Sequence, residues 1–429
     1  MVKKIIEGKY LSYILASIIP LLTISIFAAD LVFSLISIIF LIYLFRNNST
    51  FIYRNTFFFL LIGFYFFCIV SSILSDNILF SLKSSLPFLR VILFLFLLSF
   101  TISRDKKAIN IFYNFFGVTF SILILHGIFE YIYEFIKLAK LNDLDISNIR
   151  LSFFFSDERK LGSFLVRLYG LFLALHILKK DKSNFQNIFF LILTLLTAIV
   201  ILLSGERSAL FFLIMFSFVC LILLDINLKT KAIFFTLIIS SFLILLSFNS
   251  NLSNRIIFDK NNKFTFSKEK IVIFTPQHTA HYKTAVKMFL DKPFLGHGPK
   301  MFRILCSNEK YFSIVDEVHA IRIGCSNHPH STYLQLLSET GLFATFLFSL
   351  GFFYISYKLT KHFFVMIINK KKFLSDYQIV LSSTVLIIFW PFSPAGNFFN
   401  NWLLIVSSLP LGFYINEFFS FKKNKNLFI

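Results

Sequence analysis

Apolar runs of about 20 residues recur from one end of the chain to the other, separated by polar turns. They fall at 10–28, 30–45, 55–75, 84–103, 108–135, 161–178, 185–204, 208–225, 232–249, 336–357, 377–395 and 402–418. The pattern predicts an all-α polytopic membrane protein with about 12 transmembrane helices. The first two runs are nearly continuous and part around 28–30. A transmembrane β-barrel would instead alternate apolar and polar positions over stretches of about 10 residues.

Two outward segments are long, 140–160 and 250–335. The expected division is 1–249 for helices one to nine, 250–335 for a large outward loop, and 336–429 for the last three helices and a tail. The segment 1–10 is too short and basic for the usual cleaved signal, so the first helix is expected to be retained.

Composition agrees. The chain is 57% hydrophobic and only 15% charged, against about 25% charged in soluble domains, which excludes a soluble enzyme. The formal charge of +20 would suggest nucleic acid until its placement is considered. With the N-terminus inside, the turns at 46–54, 104–107, 179–182, 229–231, 358–372 and 422–425 all face inward, and each is rich in Lys and Arg. The short outward turns carry little beyond Lys83 and Arg207. This is the positive-inside distribution. Both termini are expected in the cytoplasm, and no nucleic-acid partner is called for.

The large loop breaks that rule. Residues 250–335 hold twelve Lys or Arg against six Asp or Glu, on the face where cations are disfavoured, and an anionic ligand would account for them. The loop also holds His278, His281, His297, His319, His328 and His330, six of the nine histidines. Residues 280–291 read as an amphipathic helix with Tyr282, Ala285, Val286, Phe289 and Leu290 on one side, Lys283 and Lys287 on the other, and Pro293 as its stop. Gly296-His297-Gly298-Pro299-Lys300 then forms a tight turn. Pro329 fixes His328 relative to His330 just before the tenth helix, where an imidazole could take a proton from a hydroxyl. Glu339, one to two turns inside that helix, is a costly intramembrane carboxylate that needs a task, either in catalysis or in orienting a loop cation. The His pairs lack an adjacent carboxylate, so no metal and no cofactor is expected.

A second ionic turn, Ser204-Gly205-Glu206-Arg207-Ser208-Ala209, puts Arg207 at the start of a helix, where an anion is favoured. The other reading is Arg207 paired with Glu206 or snorkelling to the interface. Arg90, Arg150, Arg159, Arg255, Arg303 and Arg322 are further outward cations. Cys68 and Cys220 read as buried small hydrophobes. Cys306 and Cys325 bracket the approach to His330, either paired in an oxidising compartment or as two free thiols.

At these residues the chain resembles the O-antigen ligase and O-antigen polymerase superfamily. The likeness rests on the topology, on Ser-Gly-x-Arg-Ser-Ala at 204–209, and on the stretch 288–342. That stretch reads Met-Phe-x-Asp-x-Pro-x-x-Gly-x-Gly-Pro and then His-Pro-His-x-x-Tyr-Leu-Gln-x-x-x-Glu-x-Gly. The resemblance implies a metal-independent inverting glycosyltransferase of the bacterial inner membrane, with its active site facing the periplasm. The donor would be an undecaprenyl-diphosphate-linked glycan and, for a ligase, the acceptor lipid A–core. His330 would be the general base and Arg207 a pyrophosphate contact, with His278, Lys283, His297, Lys300, Arg303, His328, Arg150 and Arg255 as further anion-binding residues. Two departures stand out. The family's base precedes Asn, whereas Ser331 follows His330 here. Its second Arg, near the start of the amphipathic helix, is missing from 277–282, where His278, Lys283 or Arg255 could stand in. A polymerase or a protein O-oligosaccharyltransferase would use the same donor. A transporter or lipid flippase would put its charges near the midplane, within inverted repeats.

Overall fold

A computed structural model describes residues 2–47, 52, 55–140, 151, 160–179, 182–227, 229, 231, 236, 276–317 and 320–419. In chain order its helices are α1 (Val2–Ile6), α2 (Leu11–Ile24), α3 (Ile26–Arg46), α4 (Thr56–Ile73), α5 (Ile78–Ser85), α6 (Leu89–Arg104), α7 (Ala108–Lys140), α8 (Leu161–Leu178), α9 (Asn184–Leu203) and α10 (Arg207–Leu223). There follow α11 (Pro276–Asp291), α12 (Phe302–Leu305), α13 (Thr332–Asn369), α14 (Asp376–Phe389) and α15 (Asn401–Phe418). Two short antiparallel strands, β1 (Ile314–Glu317) and β2 (Ala320–Ile323), pair Ile314 with Ile323 and Glu317 with Ala320.

Each predicted span coincides with a helix except 232–249, which apart from residue 236 lies outside the described residues. Among the described residues, seven helical stretches are long and apolar enough to cross a membrane, and α2, α10 and α14 are apolar but shorter. The fold is that of an all-α membrane protein. The α2–α3 break falls at Ser25, a few residues before the expected 28–30, because Ser25 adopts an extended backbone and its hydroxyl accepts the Ala28 N–H, as an N-cap does. The run at 377–395 ends as helix at Phe389, and Trp390 continues as extended chain.

The buried core is rich in Phe, with Phe94, Phe96, Phe112, Phe116, Phe164 and Phe172 essentially inaccessible. Helices α6 and α15, α8 and α14, and α4 and α13 are the main pairs. Arg90 is not free for a ligand. Its guanidinium pairs with Asp30 at 2.9 Å and donates to Ser34, while Asn401 donates to Asp30 at 3.0 Å. This network ties α3, α6 and α15 together, the arrangement expected of charges buried near a membrane.

Candidate functional site

The site is assembled around a break in α13. At Gly341 the backbone turns to φ 74 and ψ −174, a region open essentially only to Gly. The helical ladder opens there, and the turn after α11 supplies replacement partners. Leu342 N donates to Pro293 O at 2.8 Å, His297 N to Ser338 O at 3.1 Å, and Gly298 N to Glu339 O at 2.6 Å. Ser71 Oγ of α4 adds a second donor to Glu339 O at 2.8 Å. A Cβ at Gly341 would sit 2.2 Å from Phe294 O, so the two backbones can meet only without one. The 293–298 turn and the start of α13 thus form one bracket.

Glu339 completes the bracket. It is fully buried. Its carboxylate accepts from Phe302 N at 3.2 Å, from Gln335 Nε2 at 3.0 Å and from the Lys300 backbone. Gln335 in turn donates to Asn397 Oδ1 and accepts from Phe398 N. The acid therefore holds the 300–302 backbone and, through Gln335, the 397–398 segment. These partners are backbone N–H groups and an amide, not the side chain of a loop cation, and they hold the loop in place.

His297 is also spent internally. It is fully buried, donates from Nε2 to Met288 O at 3.0 Å and packs edge-on against Tyr311. It closes the end of α11 and does not reach a substrate surface, contrary to its expected place among the anion contacts. Asp291, next to it, accepts from Tyr311 Oη at 2.6 Å and from Lys310, which hold its carboxyl below the usual range. Lys292 reaches Asp76 at 3.0 Å and fastens the loop to the α4–α5 turn.

Helix α11 begins at Pro276, earlier than the expected 280, and ends at Asp291 as predicted. Its buried side is rotated from expectation. Ala280, His281, Thr284, Ala285 and Met288 are buried, whereas Val286 and Leu290 are exposed. The small residues let α11 lie close against the first turns of α13. Cys306 and Cys325 form a disulfide, Cα to Cα 4.9 Å, which closes the segment carrying β1 and β2.

This packing brings four histidines from two distant segments into one cluster. The ring of His330 lies 4.1 Å from that of His328, 5.2 Å from His281 and 5.5 Å from His278. His330 itself has a left-handed backbone, φ 56, an uncommon conformation for a residue other than Gly and one that often marks a functional position. It is held by Ala395, whose N–H donates to His330 O at 3.0 Å, while His328 Nε2 donates to Ala395 O at 3.1 Å. Ser331 then caps α13 through the Leu334 N–H. Among the described residues, neither ring nitrogen of His330 has a hydrogen bond.

The cluster is electrically neutral at pH 7. Burial, and then the charge His330 would carry, push His278, His281 and His328 down to about 4. Burial also lowers His330. Gln277 Nε2 lies 2.8 Å from His281 Nε2, a donor facing a lone pair, which fits a neutral ring. A neutral imidazole with an uncommitted nitrogen can accept a proton.

Cations surround the cluster. Arg207 acts electrostatically on His278, and Arg303 acts on His328. Arg207 opens α10, as the sequence suggested. Its neighbour Glu206 turns to α8 instead, accepting from Gly162 N at 2.6 Å, Ser163 N at 3.1 Å and Ser163 Oγ at 2.5 Å. That is a carboxylate on a helix N-terminus, a favourable arrangement. Lys300 is half-buried, with its pKa lowered by burial, while Arg303 and Lys283 are exposed. Lys287 is spent on Phe312 O at 2.8 Å. Arg150, Arg159, Arg255 and His319 lie outside the described residues.

Below the histidines, a cavity enters the helical bundle. Its wall is mostly apolar, with Phe64, Phe88, Phe348, Phe389 and Trp390 among its residues. Thr332 and Ala395 line it at the histidine end, and one charged side chain, Arg167, lines it within the bundle. The sequence reading passed over Arg167, although an Arg in the middle of an apolar run is itself a signal.

Residues 192–349 match the family model described as O-Antigen ligase. Over this segment, the chain is similar to the O-antigen ligase family. The matched segment runs from within α9 to within α13 and takes in the Arg207 turn, α11, the 293–298 bracket and the histidine pair. The Gly-x-Gly and Glu-x-Gly elements within the matched segment are the two halves of the bracket. No curated protein matches the chain.

Proposed function

We propose that this protein is an O-antigen ligase, moving glycan from undecaprenyl diphosphate to lipid A–core at the periplasmic face of the inner membrane. The observation that carries the reading is His330, a neutral imidazole with no hydrogen bond to its ring among the described residues, at the junction of the cationic loop and the bundle cavity. The acceptor hydroxyl gives its proton to His330 as its oxygen attacks the anomeric carbon from the side opposite the leaving group. The bond from that carbon to the pyrophosphate oxygen breaks, configuration inverts, and undecaprenyl diphosphate departs. Arg207 stabilises the charge on the departing pyrophosphate, with Arg303 and Lys300 nearby, which is the electrostatic contribution such a leaving group needs. His278 stands where the family's second Arg would be. Glu339 and His297 act by holding the loop that presents these groups.

The topology proposed is about 12 crossings with both termini in the cytoplasm. The chain divides into 1–249, the periplasmic loop 250–335, and 336–429. Val286, Leu290 and Phe294, all exposed, form an apolar strip that would rest on the membrane surface.

The test is His330→Ala in a strain lacking its own copy, with lipopolysaccharide and undecaprenyl-linked glycan both analysed. A ligase leaves unsubstituted core lipid and accumulates long lipid-linked glycan. Core bearing a single repeat means a polymerase, and loss of glycan from a protein means an O-oligosaccharyltransferase. The loss of transfer should be roughly 10²- to 10⁴-fold. An unchanged glycan profile removes His330 from the reaction.

A further inference from the structure

The cavity holds one charge that the proposed reaction has not used. Arg167 sits in the middle of α8, is 8% exposed and lines the cavity wall. Its Nη1 donates to Ser163 O at 3.0 Å, and its guanidinium lies over the Phe212 ring at 5.7 Å. Those contacts leave most of its five N–H groups uncommitted, and it forms no ion pair among the described residues. The nearest acid acting on it, Glu206, has both oxygens engaged by the α8 N-terminus. A guanidinium in an apolar intramembrane wall is costly and calls for an anion.

The place of that anion follows from the wall. Thr332 lies two residues from His330, and Ala395 is hydrogen-bonded to both His328 and His330. One end of the cavity is therefore walled by neighbours of the histidine pair, although no histidine lines it. The rest of its wall is aromatic and aliphatic side chain, suited to a hydrocarbon chain. An occupant must be apolar along its length and anionic at the level of Arg167.

Building on the proposed function, we propose that Arg167 is a second diphosphate-binding cation. From within the membrane it contacts the anionic head of the lipid-linked donor, a role for which residues 277–282, at the start of α11, hold no Arg. Arg207 then approaches the diphosphate from the loop side and Arg167 from the bundle side, with the prenyl chain in the cavity.

The experiment measures binding of radiolabelled undecaprenyl diphosphate to the purified full-length protein, for the native chain, Arg167→Gln, Arg167→Lys and His330→Ala. Lipid A is added as competitor in a second arm. Arg167→Gln should weaken binding roughly 10- to 100-fold, Arg167→Lys should restore most of it, and lipid A should not compete. Native affinity in Arg167→Gln overturns the assignment. So does displacement by lipid A together with lost lipid A binding in that variant, because the cavity then holds the acceptor. If Arg167→Gln does not fold, photolabelling of the native protein with a diazirine-bearing polyprenyl diphosphate decides. Label at Ile387 to Trp390 supports the site, and label confined elsewhere refutes it. His330→Ala separates the two claims. A dead His330→Ala beside a normal Arg167→Gln sinks the cation and leaves the ligase reading. An active His330→Ala beside a non-binding Arg167→Gln does the reverse.

Discussion

Replacing Gly341 by Ala tests whether the bracket, and not the histidines alone, makes the site. At φ 74 and ψ −174 a residue with a Cβ is strained by about 1–3 kcal/mol. The new methyl would also stand 2.2 Å from Phe294 O and 2.5 Å from Leu295 N. Since that is backbone, the turn itself must move. The bonds from Leu342 N to Pro293 O, His297 N to Ser338 O and Gly298 N to Glu339 O then weaken, at about 1 kcal/mol each. The total comes to roughly 5 kcal/mol, in the rare tail for a single substitution. Purified Gly341→Ala should melt on the order of 10 °C below the native protein and lose glycan transfer while every ionisable side chain remains. Gly117→Ala is the control. It lies in α7, an added Cβ there meets nothing within 4 Å, and a helical Gly to Ala change is expected to be neutral or stabilising by about 1 kcal/mol. If Gly341→Ala melts and transfers like the native chain, the bracket does not hold the loop and the account of the site's assembly is wrong.

Two further outcomes follow from the same geometry. Glu339→Gln should lower stability by roughly 1–3 kcal/mol, because its amide would face the Gln335 amide and leave a buried donor without an acceptor. The folded fraction should keep the native pH–rate profile, and a shifted profile at unchanged stability would give Glu339 a proton-transfer role instead. Acid should also destabilise the fold through the histidine cluster. In the unfolded chain these imidazoles take up protons near pH 6.5, whereas in the folded protein His278, His281 and His328 resist until about 4. Between those values the unfolded state binds more protons, so stability falls as pH drops through that window. Thermal melts from pH 7 to 4 check this, and replacing His278 and His281 by Gln should flatten the slope.

The helices were legible because a membrane leaves no other use for runs of about 20 apolar residues. That Arg207 opens a helix and that His330 stands just before one were legible from the turns beside them. What sequence could not give is which polar groups are consumed by the fold. His297 looked like a ligand contact, yet its ring is spent on Met288 O. Glu339 read equally well as a catalyst or as the partner of a loop cation, whereas its partners are the 300–302 backbone and Gln335. The approach of His278 and His281 to His330 is a long-range contact with no local signature. The face of α11 was misplaced because small and polar residues, Thr284 and His281, are buried, Thr284 beside Gly324, whereas Val286 and Leu290 are exposed. Arg167 was an avoidable omission, since an Arg inside an apolar run is itself a signal.

The clasp between His330 and Ala395 uses main-chain atoms on the Ala395 side. Side-chain identity at 395 is thus released from the chemistry, although the residue borders the cavity. A larger aliphatic residue there would narrow the passage beside the base without disturbing the base. Proline, which lacks the N–H, would undo the clasp. Position 395 is accordingly a place where related enzymes can diverge in which lipids they admit while the reaction they run stays the same.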